Sequence, residues 1–234
     1  MISSNSDLPP LFDALIAGHT PQWVEKEQRI DWRPRTWKAA WDGLPCADVL
    51  DELEAEINAK DTIRRSFILA TYQNRPAIDL FTAAAAWGSG TGGRNLARIR
   101  TILLQPDAAG KLQATADAVR SQGARDAYRA YFSQHKLSQL GVAFVTKLLY
   151  FAGYQHQRPG QPRPLIYDSR VATAITRLPA APLLPASPDN LTTPKYERYC
   201  AWAETIAQER QTEPVVVEWA LFTLGGQIRD ELRK

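Results

Sequence analysis

The sequence predicts an all-α fold, and three observations carry that expectation. Apolar residues recur at helical spacing almost throughout the 234 residues, and no run of alternating β-branched residues bounded by hairpin turns interrupts them. Asp, Gly and Pro signals cut the periodic stretches into lengths ordinary for helices. Hydrophobic residues make up 44% and charged residues 23%, which suits a packed globular core.

The first 45 residues are irregular, with Pro9, Pro10, Pro21, Pro34 and Pro45 spaced among Trp23, Trp32, Trp37 and Trp41. This predicts short helices clamped onto a body by aromatic burial, a lid or wrapping segment. Residues 46–234 are expected to form the main helical domain. Its helices are predicted over 47–59, 62–72, 77–86, 94–104, 108–121 and 125–133. A short LSQL piece follows His135, then an apolar helix over 142–152, a loop over 154–164 and a helix over 169–178. The connector over 178–194 holds five prolines, which cannot donate backbone hydrogen bonds, so it should cross the surface without regular structure. Two last helices, over 195–210 and 214–224, carry an apolar stripe of Trp202, Ile206, Val217, Leu221 and Phe222 and end at Gly225-Gly226. No internal repeat is present.

Composition bounds the function without naming it. A net charge of +3 and a pI of about 8.9 agree in sign with a nucleic-acid partner but are too small to establish one. Cys46 and Cys200 lie far apart and form no CxxC element, so no disulfide framework, zinc site or iron–sulfur site is indicated, and a reducing interior is expected. His135 and His156 have no third ligand at metal-like spacing, so neither metal nor cofactor is expected. The start has no basic n-region, and no stretch approaches the roughly 18 apolar residues that span a bilayer, which predicts a cytoplasmic protein without a membrane partner.

The residues that suggest chemistry sit late in the chain. Lys147 is the only charge in an eleven-residue apolar run, VAFVTKLLYFA over 142–152. A lysine in a helix can snorkel to the surface along its own methylenes. Here Phe144 and Phe151, one turn away on either side, are large and apolar, so that face is not evidently solvated. An ammonium so placed loses hydration, which favours the neutral, nucleophilic amine. Asp168, 21 residues on, precedes SRVATAI as a good helix N-cap. Capping and catalysis are compatible for it, because a carboxylate fixed as a cap can also be aimed into a cleft.

The segment FVTKLLYF followed by RPLIYDSRVA resembles the helix-hairpin-helix DNA glycosylases, most closely the archaeal 8-oxoguanine DNA glycosylase type and its bacterial relatives. The likeness is specific over 137–175, looser over 87–104 and over VVVEWALFTLG, and does not extend into the first 45 residues. It implies a two-lobed helical array with a cleft between the lobes, double-stranded DNA as partner and a monomer. It also implies that Lys147 attacks C1′ of an extruded nucleotide through a Schiff base, with possible β-elimination, while Asp168 assists.

Candidates for the base pocket are then Trp87, Phe144 and Phe151, although a buried structural role suits Trp87 equally. Phosphate contacts are expected at two places. Leu140-Gly141-Val142 keeps the first part of the family's LPGVG hairpin, but the Pro and the second Gly are absent. The stretch WGSGTGGRNLARIR offers Gly92, Gly93, Arg94 and Arg98, either as a phosphate-binding loop or as a plain turn. Arg170 is the best of the remaining basic residues, ahead of Arg158 and Arg163 in the loop before it. The base itself is left open. It could be 8-oxoguanine or a hypermodified base of foreign DNA, while a catalytically silent DNA-binding or interaction module and a Schiff-base enzyme on a small carbonyl substrate are the readings outside that class.

Overall fold

A helix that is apolar on all sides must be surrounded, and the run around Lys147 forms one. In the computed structural model, which describes residues 8–91, 93–178, 181 and 183–232 (the side chains of Gly93 and Arg94 excepted), this run is α10, Val142–Gly153, and every residue in it except Ala143 is buried. The other helices are α1 (Pro10–Ala17), α2 (Pro21–Glu27), α3 (Pro34–Ala39), α4 (Ala47–Lys60), α5 (Arg65–Tyr72), α6 (Ala77–Ser89), α7 (Gly93–Leu103), α8 (Ala108–Gln122), α9 (Ala124–Ala130), α11 (Ser169–Ile175), α12 (Thr193–Glu209) and α13 (Pro214–Glu231). The fold is all-α, as the periodicity predicts. Helix α10 packs on α6, α8 and α9, while α13 packs along α11 and also meets α1, α2 and α12. Among the described residues no helix is long and apolar enough to cross a membrane.

The differences from the expected elements have local causes. One short antiparallel pairing exists, β1 (Arg29–Ile30) with β2 (Ile63–Arg64), and the Arg65 amide donates to the Gln28 carbonyl beside it. That pairing makes α5 start at Arg65 rather than at residue 62. Helix α9 is shorter than expected because a π-helical turn, Tyr131–His135, takes over its last residues. Helix α11 stops at Ile175, and α6 runs three residues past Ala86 to Ser89, through Gly88.

The largest correction concerns Gly225-Gly226, which do not end α13. A β-carbon on Gly225 would stand 1.9 Å from the Arg170 carbonyl oxygen, so glycine is there for the close approach of α13 to α11, and the helix continues to Glu231. Of the predicted features, Gly92 and, in the connector, Pro179 and Pro182 lie outside the described residues.

In the N-terminal segment Phe12, Ile16, Val24, Trp32, Trp37 and Trp41 are buried, and Trp37 stacks on Trp41 with ring centroids 5.7 Å apart. Trp23 is the exception at 39% exposure, tilted against His19 and edge-on to Trp219 of α13.

Candidate active site

Helix α10 carries Lys147 inward, and the extended stretch before α11 brings Asp168 to it. The lysine Nζ lies 3.5 Å from Asp168 Oδ2 and donates to the Ala143 carbonyl at 3.3 Å, with the side chain 6% exposed. The two carboxylate oxygens of Asp168 have different partners. Oδ1 accepts from the Arg170 and Val171 amides at 2.9 and 3.1 Å as a true N-cap, which leaves Oδ2 for the lysine. Lys147 has room because α6 has a glycine opposite it. A β-carbon on Gly88 would lie 2.5 Å from Lys147 Cε and 2.7 Å from Cδ.

The approach to Asp168 is tied down by buried side chains. The Tyr167 amide donates to Thr146 Oγ1 at 3.0 Å, one residue before the lysine, and the Ile166 amide donates to Glu218 Oε2 at 3.1 Å. Tyr196 and Tyr199 hydroxyls donate to the Leu165 and Ile166 carbonyls, each at 3.0 Å. Glu218 also meets Arg65 at 2.7 Å in a fully buried ion pair. Burial holds the Glu218 carboxyl above the ordinary range, against the pull of the Arg65 guanidinium. Arg65 in turn lies 5.3 Å from the Trp87 ring centroid and 4.6 Å from that of Tyr150. None of Thr146, Glu218, Arg65, Tyr196 and Tyr199 stands out in the sequence, since their partners are backbone groups or side chains remote in sequence.

Lys147 and Asp168 share a pocket of about 230 Å³. Its wall includes Trp87, Gly88, Glu218 and Phe222, and, from the N-terminal segment, Gln28 and Ile30. Trp87 is 3% exposed and packs edge-on to Phe151 at 5.6 Å, so it is both structural and pocket-lining. Phe144 and Phe151 are not in the wall. Phe151 is fully buried behind Trp87, and the Phe144 ring sits 5.9 Å from the lysine Nζ. Gln28 is the residue that sequence reasoning missed most clearly. It is 5% exposed, and its Oε1, like the Trp87 Nε1, has no hydrogen-bond partner among the described residues.

The expected phosphate contacts separate into two places. Gly141 and Arg98 meet at the start of α10, where a β-carbon on Gly141 would be 3.1 Å from an Arg98 guanidinium nitrogen and 3.4 Å from Asp189 Oδ1. There Arg98 donates to the Gln139 carbonyl, and Gln139 has a left-handed φ of 64°. Arg170 lies in the pocket wall instead, its guanidinium 4.6 Å from the Phe222 ring centroid. Gly93 begins α7, and Arg94 follows it in the helix. Arg163 of the loop pairs with Glu213.

No group of three metal-binding side chains gathers among the described residues. Burial pushes the Cys46 and Cys200 thiols up to about 12, so neither offers a thiolate at neutral pH.

A family model described as "Putative 8-oxoguanine DNA glycosylase OGG-like protein" matches residues 25–222. The chain belongs to this family. The matched region holds Lys147, Asp168, Trp87 and Gln28, and it takes in residues 25–45, where the motif-based resemblance finds nothing. No curated protein and no solved structure matches the chain. Membership of the OGG-like family makes DNA the substrate class.

Proposed function

We propose that the protein is a DNA glycosylase that extrudes a damaged or modified base, 8-oxoguanine by family, into the Lys147 pocket and excises it. The observation that carries this reading is the 3.5 Å approach of Lys147 Nζ to Asp168 Oδ2 inside a pocket. An amine attacks carbon only as the free base, so in this reading the lysine proton passes to Asp168, 3.5 Å away, and from Asp168 to the departing base, which restores the carboxylate. The amine nitrogen then bonds to C1′ as the C1′–N bond to the base breaks, and the departing base takes the electron pair and a proton. Positive charge on the sugar falls near the Asp168 carboxylate. The second amine proton passes to O4′ as the C1′–O4′ bond breaks and the ring opens to a Schiff base, from which loss of a C2′ proton expels the 3′ phosphate by β-elimination.

Gln28 and Trp87 support a base as the occupant. A buried polar group without a partner costs about 1–3 kcal/mol, and a base edge offers the donors and acceptors that would satisfy both. Extrusion costs roughly a few kcal/mol and is cheapest for a damaged or mispaired base. Residues 8–45, which supply Gln28 and Ile30, act in this reading as part of the base-reading wall.

A product assay tests the proposal. Duplexes carrying 8-oxoguanine, other oxidised or alkylated bases and hypermodified pyrimidines are incubated with wild type and Lys147→Gln, and free base and cut strand are measured. Release of base by wild type alone is expected. Intact duplexes across the panel would leave the silent DNA-binding module as the better account.

A further inference from the structure

The family match ends at residue 222, yet α13 continues to Glu231 and returns a side chain to the pocket. Arg229, in the last turn, lines the same wall as Lys147 and Asp168. It donates to Ser169 Oγ at 2.7 Å, and Ser169 is the residue directly after Asp168. What brings it there is the glycine pair. The helix axes can approach closely only because Gly225 has no β-carbon to meet the Arg170 carbonyl, and Gly226 faces the Arg170 guanidinium, 3.5 Å from where its β-carbon would be.

We infer that Arg229, with Arg170 and Ser169, forms a clamp for a backbone phosphate beside the extruded nucleotide. The inference rests on the glycosylase reading, which puts the sugar at Lys147. Two guanidiniums line one wall, and among the described residues neither is within ion-pair distance of a carboxylate. Arg170 is exposed and spread over Phe222, and Arg229 uses one donor on Ser169, so most of its five N–H groups stay available. A nucleotide with C1′ at Lys147 brings its own 5′ and 3′ phosphates within a sugar's width of that carbon. A planar guanidinium fork fits such an oxyanion in bidentate fashion. Tethering Arg229 to the residue after Asp168 couples the grip on the phosphate to the carboxylate that faces the lysine.

The test is equilibrium binding of a duplex containing a tetrahydrofuran abasic analogue, over a range of salt concentration, by wild type, Arg229→Gln and Arg229→Lys. The same duplex is then made with a neutral methylphosphonate at the 5′ or the 3′ phosphate. The clamp predicts weaker binding by Arg229→Gln, a salt slope shallower by about 0.9 for the lost phosphate contact, and partial recovery by Arg229→Lys. It also predicts that one methylphosphonate weakens wild type and costs Arg229→Gln less, because only Arg170 then faces that phosphate. Equal affinity and slope for wild type and Arg229→Gln, with borohydride still trapping wild type on damaged DNA, would overturn the clamp alone. A wild type that neither binds the duplex nor is trapped overturns the clamp and the glycosylase reading together.

Discussion

The methylenes of Lys147 occupy the space that a side chain on Gly88 would need, with Cε 2.5 Å and Cδ 2.7 Å from its missing β-carbon. Helix α6 thus supplies the slot in which the lysine reaches Asp168. Gly88→Ala should separate function from stability. Alanine favours the helix by about 0.5–1 kcal/mol, and the atoms it meets belong to a flexible side chain that can move away. The melting temperature should hold or rise slightly, while base excision falls about 100-fold because the amine is displaced. A variant with wild-type turnover would show that the slot does not set the lysine's position.

Asp168 has different partners on its two oxygens, and two substitutions divide them. Asparagine caps a helix about as well as aspartate, so Asp168→Asn should melt higher than Asp168→Ala, yet lose most excision because Lys147 no longer faces a carboxylate. Asp168→Ala should lose excision as well and about 1 kcal/mol of stability. Thermal melts beside single-turnover rates make the comparison. Full activity in Asp168→Asn would reduce this residue to a cap.

Gly225→Ala makes the opposite case to Gly88. Its β-carbon would meet the Arg170 carbonyl, which is backbone and cannot rotate away, so α11 must shift from α13. The overpacking should cost about 1–3 kcal/mol despite the better helix propensity of alanine. Because α11 carries the amides that donate to Asp168 Oδ1, excision should fall too. A melting temperature equal to wild type would mean that the two helices tolerate separation.

How far the sequence could be read depends on the range of each interaction. The apolar run around Lys147 and the cap at Asp168 are local patterns, and both were legible along with the all-α fold. The two glycine sites were misjudged for one reason: Gly88 and Gly225-Gly226 look like helix ends locally, but each is a close-packing point against a distant segment. Gln28 was illegible because the β1–β2 pairing and α2 that carry it give only two-residue strands and a seven-residue helix. Phe144 and Phe151 share the lysine's helix, yet spacing could not tell the face toward the pocket from the face behind it.

Arg65 and Glu218 are a buried pair whose value lies in what it holds. Arg65→Met should cost about 3–5 kcal/mol, because it leaves the Glu218 carboxylate buried without its counter-charge. Adding Glu218→Leu should recover much of that stability. It should not recover excision, since the Ile166 amide, two residues before Asp168, then has no acceptor. Denaturant unfolding and excision rates on the single and double variants distinguish stability from positioning. A double variant with full activity would make the pair purely structural.

The central claim is that the Lys147 amine forms a covalent bond to the sugar of DNA. Borohydride reduction during incubation with an 8-oxoguanine duplex, followed by peptide mapping of the protein–DNA adduct, measures that directly. The account predicts an adduct on Lys147 in wild type and none in Lys147→Gln. An adduct on another residue, or base release by Lys147→Gln at the wild-type rate, would contradict it.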